Sequence, residues 1–350
     1  MKDLNGKVAV ITGGASGIGL AVAHAFGGEG MRLVIADIQQ DALDRAVPAL
    51  RAEGYEVIGV RTDVAKFAEV ERLREACLEA FGKVHVVVNN AGVSITGPLW
   101  EMSLDDWRWV YEVNFWGVVH GIKAFTPTLL AQGQGGHVIN VASEAAFLGI
   151  GHHAPYCSSK AAVLSVSVAL HAELEAAASG VGVSVVCPGM VDTQIHRSWR
   201  NRPQDDRPWS DREVADPERR ARADEFQARG VSPEEVARVT LDALESDRFW
   251  VFNTPHWREM IARVRDNTVS GENPPVHTWG QTSGRKPRCQ ATLYARRSRG
   301  AHLALSKIVA AGAQPRVVRK SGARTAFMGI SKPADGRIRK APVRKPRAGA

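Results

Sequence analysis

Cysteine is scarce in this chain, with four in 350 residues. Cys77, Cys157, Cys187 and Cys289 lie far apart, and no C-x-x-C spacing occurs. That pattern excludes a disulfide framework and a zinc site, no metal is expected, and a reducing cytoplasm is the expected compartment. Long hydrophobic runs are missing as well. No apolar stretch approaches the ~20 residues that a bilayer-spanning helix needs. The first apolar run, V-A-V-I from Val8, stops at a glycine turn instead of continuing as a signal peptide would. No membrane partner is expected. Acidic residues are nearly absent from residues 271–350, which carry 18 Lys+Arg and 2 Asp+Glu, a net +16. Residues 1–270 carry 27 basic and 35 acidic residues, a net −8, so the overall +8 reports on the tail alone.

What is present is ordinary for a globular chain: 44% apolar and 23% charged residues, with ample length for a large core. Short β-branched runs alternate with helical patterns. K-V-A-V-I-T, R-L-V-I-A-D, E-V-I-G-V-R, V-H-V-V-V-N-N, H-V-I-N-V-A and V-S-V-V-C-P-G read as six strands buried on both faces, and F-W-V-F at 249–252 reads as a seventh. Strand–helix alternation of this kind predicts parallel βαβ units, hence an α/β, Rossmann-type doubly wound sheet with helices on both faces. Ser103 with Asp106 three residues later predicts a helix start, and that helix should continue to about Leu130.

The first strand-to-helix turn is T-G-G-A-S-G-I-G, residues 12–19. Gly13, Gly17 and Gly19, with Ser16 and Ile18 between them, would let the backbone approach a pyrophosphate at a helix N-terminus. Asp37 ends the second strand 18 residues after Gly19, near the ~20 expected of a carboxylate that binds the adenosine ribose diol. A carboxylate there repels a 2′-phosphate, so NAD is favoured over NADP. Asp63-Val64 and Asn89-Asn90-Ala91-Gly92 also end strands, although Asp, Asn and Gly suit ordinary turns equally well.

The stretch S-E-A-A-F-L-G-I-G-H-H-A-P-Y-C-S-S-K, residues 143–160, holds Ser143, Tyr156 and Lys160. Tyr156 and Lys160 are one helical turn apart and share a face, with Pro155 suited to the first turn. An ammonium beside a phenol favours phenolate and pulls its pKa down from about 10. Taken alone, the pair reads first as an ordinary helix start.

Together these pieces resemble the short-chain dehydrogenase/reductase family in its shorter, single-domain form. The matching residues are the turn at 12–19, Asp63, N-N-A-G at 89–92, Asn114, Ser143, Y-C-S-S-K at 156–160 and P-G-M-V-D-T at 188–193. They occur in the family's order and cover residues 4 to about 255. The resemblance implies that Tyr156 is the general acid/base, that Lys160 lowers its pKa and binds the nicotinamide ribose, and that Ser143 orients the substrate oxygen. It further implies a relay water held at Asn114, adenine contacts from Asp63 and Val64, Asn90 along the adenosine side, and Val191 and Thr193 at the carboxamide. The implied reaction moves a hydride between NAD(H) and a secondary alcohol or ketone. A homotetramer or dimer through the 104–130 and Tyr156 helices is implied too.

Residues 196–230, rich in Arg, Asp, Glu and Pro, read as part of a substrate lid at about 194–230 on a domain spanning 1–275. His152 and His153 read as pocket walls. Trp107, Trp109, Phe115 and Trp116 read mostly as packing residues at helical spacing. Trp100, Phe147, Trp199 and Trp209 fall in segments that flank the active site in the family, and suggest an apolar, ring-containing substrate. The tail at 276–350 reads as a disordered, solvated extension. Its charge would suit nucleic acid, but it has few aromatics and no recognition pattern, so nucleic-acid binding is not expected. The rival reading is a non-catalytic dinucleotide-binding sensor or scaffold whose tail contacts nucleic acid.

Overall fold

Runs of Val, Ile, Leu and Ala five or six residues long send alternate side chains to opposite faces, so each strand feeds two cores. In the computed structural model, which describes residues 1–202, 217–254, 257–274 and 277–278, this is what the strands do. Ala9 and Ile11 join Phe26, Leu50 and Leu244 on one face, while Val8 and Val10 join Leu73, Phe125 and Leu174 on the other. Trp209, part of the 194–230 segment and the tail beyond Thr278 lie outside the described residues.

The strands are β1 (Val8–Thr12), β2 (Arg32–Asp37), β3 (Val57–Arg61), β4 (Val86–Asn89), β5 (Gly136–Val141), β6 (Ile150–Gly151), β7 (Val181–Val186), β8 (Trp250–Val251) and β9 (His277–Thr278). Seven of them form one parallel sheet in the order β3-β2-β1-β4-β5-β7-β8, as the sequence predicts. The sequence gives no sign of β6 and β9, two-residue strands that pair in parallel with each other.

The helices are α1 (Gly17–Gly28), α2 (Gln40–Ala52), α3 (Phe67–Phe81), α4 (Leu104–Tyr111), α5 (Gly117–Gln132), α6 (Ala154–Ala176), α7 (Pro217–Gln227), α8 (Pro233–Ser246) and α9 (Trp257–Ser270). Buried residues of α1, α2 and α8 cover one face of the sheet, and those of α3, α5 and α6 cover the other. The order reverses between β1 and β4, which places a crevice at the carboxyl edge beside the glycine turn.

The long helix starts as expected. The Ser103 hydroxyl accepts the Asp106 N–H at 3.1 Å, and the Asp106 carboxylate accepts the Ser103 N–H at 2.8 Å. It does not run unbroken to Leu130, because a π turn at Glu112–Trp116 separates α4 from α5. One such widened turn admits an extra residue and shifts the face that follows it. Asn114, the residue at its centre, is fully buried.

Candidate active site

At the carboxyl edge the loops after β1, β2, β4, β5 and β7 line a cleft of 1480 Å³. That exceeds the roughly 300–1,000 Å³ of ordinary small-molecule pockets, as a site for a dinucleotide plus a second molecule must. On the β1 side, Gly13 and Gly17 adopt left-handed φ of 60° and 52°. A Cβ on Gly13 would lie 2.9 Å from the Ala91 Cα, and one on Gly19 would overlap the Gly13 carbonyl oxygen. The β4 loop is tied to the same turn. The Thr12 hydroxyl accepts the N–H groups of Asn90 at 3.0 Å and Ala91 at 3.1 Å, and the Asn90 amide donates to the Thr12 carbonyl at 2.9 Å.

α1 begins here with Ser16 in extended conformation, its hydroxyl making no capping bond, and with no acidic residue in the first turn. The first N–H donors and the positive end of the helix dipole therefore stay available to an anion. Asp37 closes β2 and accepts the N–H groups of Ala15 at 3.2 Å and Gln39 at 3.1 Å. Burial raises its pKa, and these two donors oppose that rise. The crowded glycines, the uncapped helix start and the carboxylate on β2 fit an adenine dinucleotide. Gly13, Ser16, Gly17, Ile18, Asp37, Asp63, Val64, Asn90, Val191 and Thr193 all line the cleft. Gly19 is not among the lining residues; it packs behind the turn against Gly13 and Asn90.

Ser143, Tyr156 and Lys160 line the same cleft. Ser143 stands just beyond β5, and its hydroxyl accepts the Ala145 N–H at 3.1 Å and donates to the Pro188 carbonyl at 3.3 Å. Tyr156 and Lys160 leave one face of α6, with the ammonium 5.9 Å from the phenol ring centroid. Lys160 is buried and donates to the Val141 carbonyl at 2.8 Å, and burial pulls its pKa down to about 8. The Tyr156 phenol is pushed up to about 12 by burial, against a hydrogen bond with Ser143 that lowers it. Desolvation of the phenolate sets this direction, while the Lys160 ammonium is turned to the Val141 carbonyl.

Asn114 stands behind the wall instead of in it. Its amide accepts the Val93 N–H at 2.8 Å and donates to the Val93 carbonyl at 2.9 Å and to the Ser159 hydroxyl at 3.1 Å. It is thereby bound to the loop under Lys160: a Cβ built on Gly92 would lie 3.4 Å from the Lys160 ammonium and 3.5 Å from the Asn114 oxygen.

The flanking aromatics differ from expectation. Trp100 is 78% exposed, Phe147 packs on Trp250 and Phe252, and neither they nor Trp199 line the cleft. The apolar wall is built by Val93, Trp109, Val113, Leu148, Met190 and Phe226. Trp109 serves both the cleft and a buried cluster with Val93, Ile95 and Val110, which its helical spacing alone does not distinguish. His153 lines the cleft, and burial pulls its pKa down to about 4. His152 is exposed, with φ 67°.

Two lining residues escape the motif reading. Glu144 follows Ser143 directly, accepts the Thr254 hydroxyl, and is pushed up to about 7 by burial. Arg200 sits in a short helical turn, Ile195–Asn201, after P-G-M-V-D-T. Adjacency to Ser143 was the available signal for Glu144, whereas nothing local marks Arg200.

A family model described as short chain dehydrogenase matches residues 7–204. The chain is 39% identical over 265 residues to the 1-deoxy-11-beta-hydroxypentalenate dehydrogenase of Streptomyces exfoliatus, covering 75% of this chain and 87% of that protein. It is 30% identical over 285 residues to the CLA biosynthesis dehydrogenase/reductase of Lactiplantibacillus plantarum, covering 79% and 98%. Among solved structures, a short chain dehydrogenase/reductase from Burkholderia phymatum in complex with NAD superposes with a TM-score of 0.74 at 40% identity, covering 81% of this chain and all of that one.

Proposed function

The chain belongs to the short-chain dehydrogenase/reductase family, and from that premise we propose that Tyr156 is the general acid/base of its NAD-dependent alcohol oxidation. The enzyme is an oxidoreductase acting on CH–OH donors, which removes the ground for a non-catalytic sensor. NAD, when bound, accepts the hydride on oxidation of the alcohol, and NADH supplies it on reduction. The protein's part is to hold the two molecules and move one proton. Tyr156 takes the alcohol proton as phenolate, or returns it to a ketone oxygen. Ser143 holds that oxygen, exchanging its long bond to the Pro188 carbonyl for one to substrate. Lys160 supplies the positive charge that phenolate formation needs, once its ammonium turns from Val141. Asn114 fixes the Gly92–Val93 turn beneath Lys160. The observation that carries this reading is the convergence of Ser143, Tyr156 and Lys160 on one cleft, with the Lys160 ammonium 5.9 Å from the Tyr156 ring centroid.

The substrate is an apolar, ring-containing secondary alcohol or its ketone. The apolar wall supports this, as does the relative named for a hydroxypentalenate. NAD is preferred to NADP because Asp37 would repel a 2′-phosphate. The enzyme is a cytoplasmic homo-oligomer: Cys77, Cys157 and Cys187 are free thiols, suited to a reducing compartment, and Leu104, Trp116, Leu130 and Val168 expose apolar surface on α4 to α6. Among the described residues no helix is long and apolar enough to cross a membrane.

Tyr156→Phe, assayed on cyclic secondary alcohols and on short polyols by nicotinamide absorbance, tests the reading. Turnover should fall by about 10²–10⁴-fold, with NADH affinity unchanged. Turnover within tenfold of wild type would remove Tyr156 from the chemistry, and a wild-type preference for polyols would overturn the substrate class.

A further inference from the structure

The glycine turn supplies N–H donors but no cation, since Ser16 and Ile18 occupy the positions between its glycines. A diphosphate next to Asp37 would nevertheless add negative charge to a cleft that already holds a carboxylate. Most basic side chains lining that cleft are committed elsewhere. Lys66 pairs with Asp63 at 3.2 Å and Glu69 at 3.6 Å, Arg222 with Glu218 at 3.4 Å, and Arg229 with Glu225 at 2.7 Å. Lys160 is buried against the Val141 carbonyl.

Arg200 is different. Its Nη1 donates to the carbonyls of Gln194 at 2.9 Å and Arg197 at 3.0 Å, while Nε and Nη2 have no partner among the described residues. No described carboxylate is within ion-pair distance, although Asp37 and Asp41 act on its charge from farther away. The turn that carries it is held on three sides. Arg202 pairs with Asp106 of the α4 cap, Arg197 pairs with Asp224 of α7, and the Ser198 hydroxyl accepts the Ser94 N–H at 3.1 Å. At the root of the turn, the Thr193 methyl lies 3.2 Å from where a Gly17 Cβ would stand, so the segment departs from beside the start of α1. A guanidinium with one nitrogen pinned by backbone carbonyls has lost much of its rotamer freedom before any ligand arrives, and its remaining N–H groups form a ready fork for phosphate oxygens.

We propose that Arg200 is a phosphate-binding residue of the cofactor cleft, engaging either the diphosphate of NAD or a phosphate on the adenosine ribose. The Ile195–Asn201 turn then binds cofactor as well as bordering substrate. This rests on the cofactor occupying the cleft as described above, and the experiment separates the two claims.

Calorimetric titration of wild type, Arg200→Ala and Arg200→Lys with NADH, NADPH, ADP-ribose, 2′-AMP and adenosine is the test. Arg200→Ala should weaken ADP-ribose and NADH by about tenfold or more, the size expected of a hydrogen-bonded charge. Adenosine affinity should not change, and Arg200→Lys should recover part of the loss. That result identifies the diphosphate as the ligand. Loss confined to NADPH and 2′-AMP supports Arg200 equally and identifies the ribose phosphate. Unchanged affinity for every phosphate-bearing ligand, or an equal loss for adenosine, overturns the proposal. A wild type that binds neither NADH nor ADP-ribose overturns the cofactor reading itself.

Discussion

Glu144 is a carboxyl placed where water is scarce, one residue from Ser143 on the cleft wall. Burial pushes its pKa up to about 7, with no cation opposing. A carboxyl whose folded pKa exceeds its unfolded value of about 4.3 holds its proton more tightly when folded. Its ionisation therefore costs stability progressively as pH rises from about 4.5 through 7, and nothing further is lost above that window. Glu144→Gln abolishes this titration and keeps a partner for Thr254. Between pH 5 and pH 8 the wild type should lose about 1–2 kcal/mol more than the variant, read as melting temperature. Parallel pH profiles for the two proteins would show that Glu144 is already solvated. Motif reading finds Tyr156 and Lys160 because their spacing is local. It does not reach the burial of the phenol or the orientation of the lysine toward Val141, because both depend on residues distant in sequence.

At the scale of elements, a buried polar chain clamps the sheet to the helices behind the site. Asn89 of β4 donates to Asn140 of β5 at 2.8 Å, Asn140 donates to Ser167 of α6 at 3.0 Å, and Ser167 donates to the Val163 carbonyl at 2.7 Å. Gly121 of α5 lies against this chain, and a Cβ there would overlap the Asn89 side-chain oxygen. Helix propensity favours alanine over glycine by about 1 kcal/mol, yet overpacking a buried site costs about 1–3 kcal/mol. Here the overlap is with a fixed polar group, so packing wins. Gly121→Ala is expected to destabilise by about 1–2 kcal/mol in urea unfolding; a more stable variant would mean that α5 shifts freely. The capped start of α4 was legible, since Ser103 and Asp106 act within one turn. The π turn was not, because it depends on Asn114 reaching Val93, 21 residues away.

For the whole molecule, the charge divides between acidic residues 1–270 and basic residues 271–350. Exposed Leu104, Trp116, Leu130 and Val168 are what an oligomer would cover. Light scattering of the full chain and of a chain ending at Ser283 should give the same tetramer or dimer, with turnover within about threefold, since the short chain keeps Thr278 paired to Gly151. A monomer would overturn the assembly, and lost turnover would assign the tail a function.

The sequence by itself determined the parallel sheet, the dinucleotide turn with Asp37 and the grouping of Ser143, Tyr156 and Lys160. The first two follow from alternation and glycine geometry, which act over a few residues; the third follows from the family resemblance, since helical spacing joins only Tyr156 and Lys160. Tertiary structure decided which side chains face the cleft. It set Gly19 and Asn114 behind the wall, moved Trp109 and Phe226 into it in place of Trp100, Phe147 and Trp199, and brought Glu144 and Arg200 to its edge. Those outcomes depend on burial and on contacts between loops far apart in sequence, and no short motif encodes them.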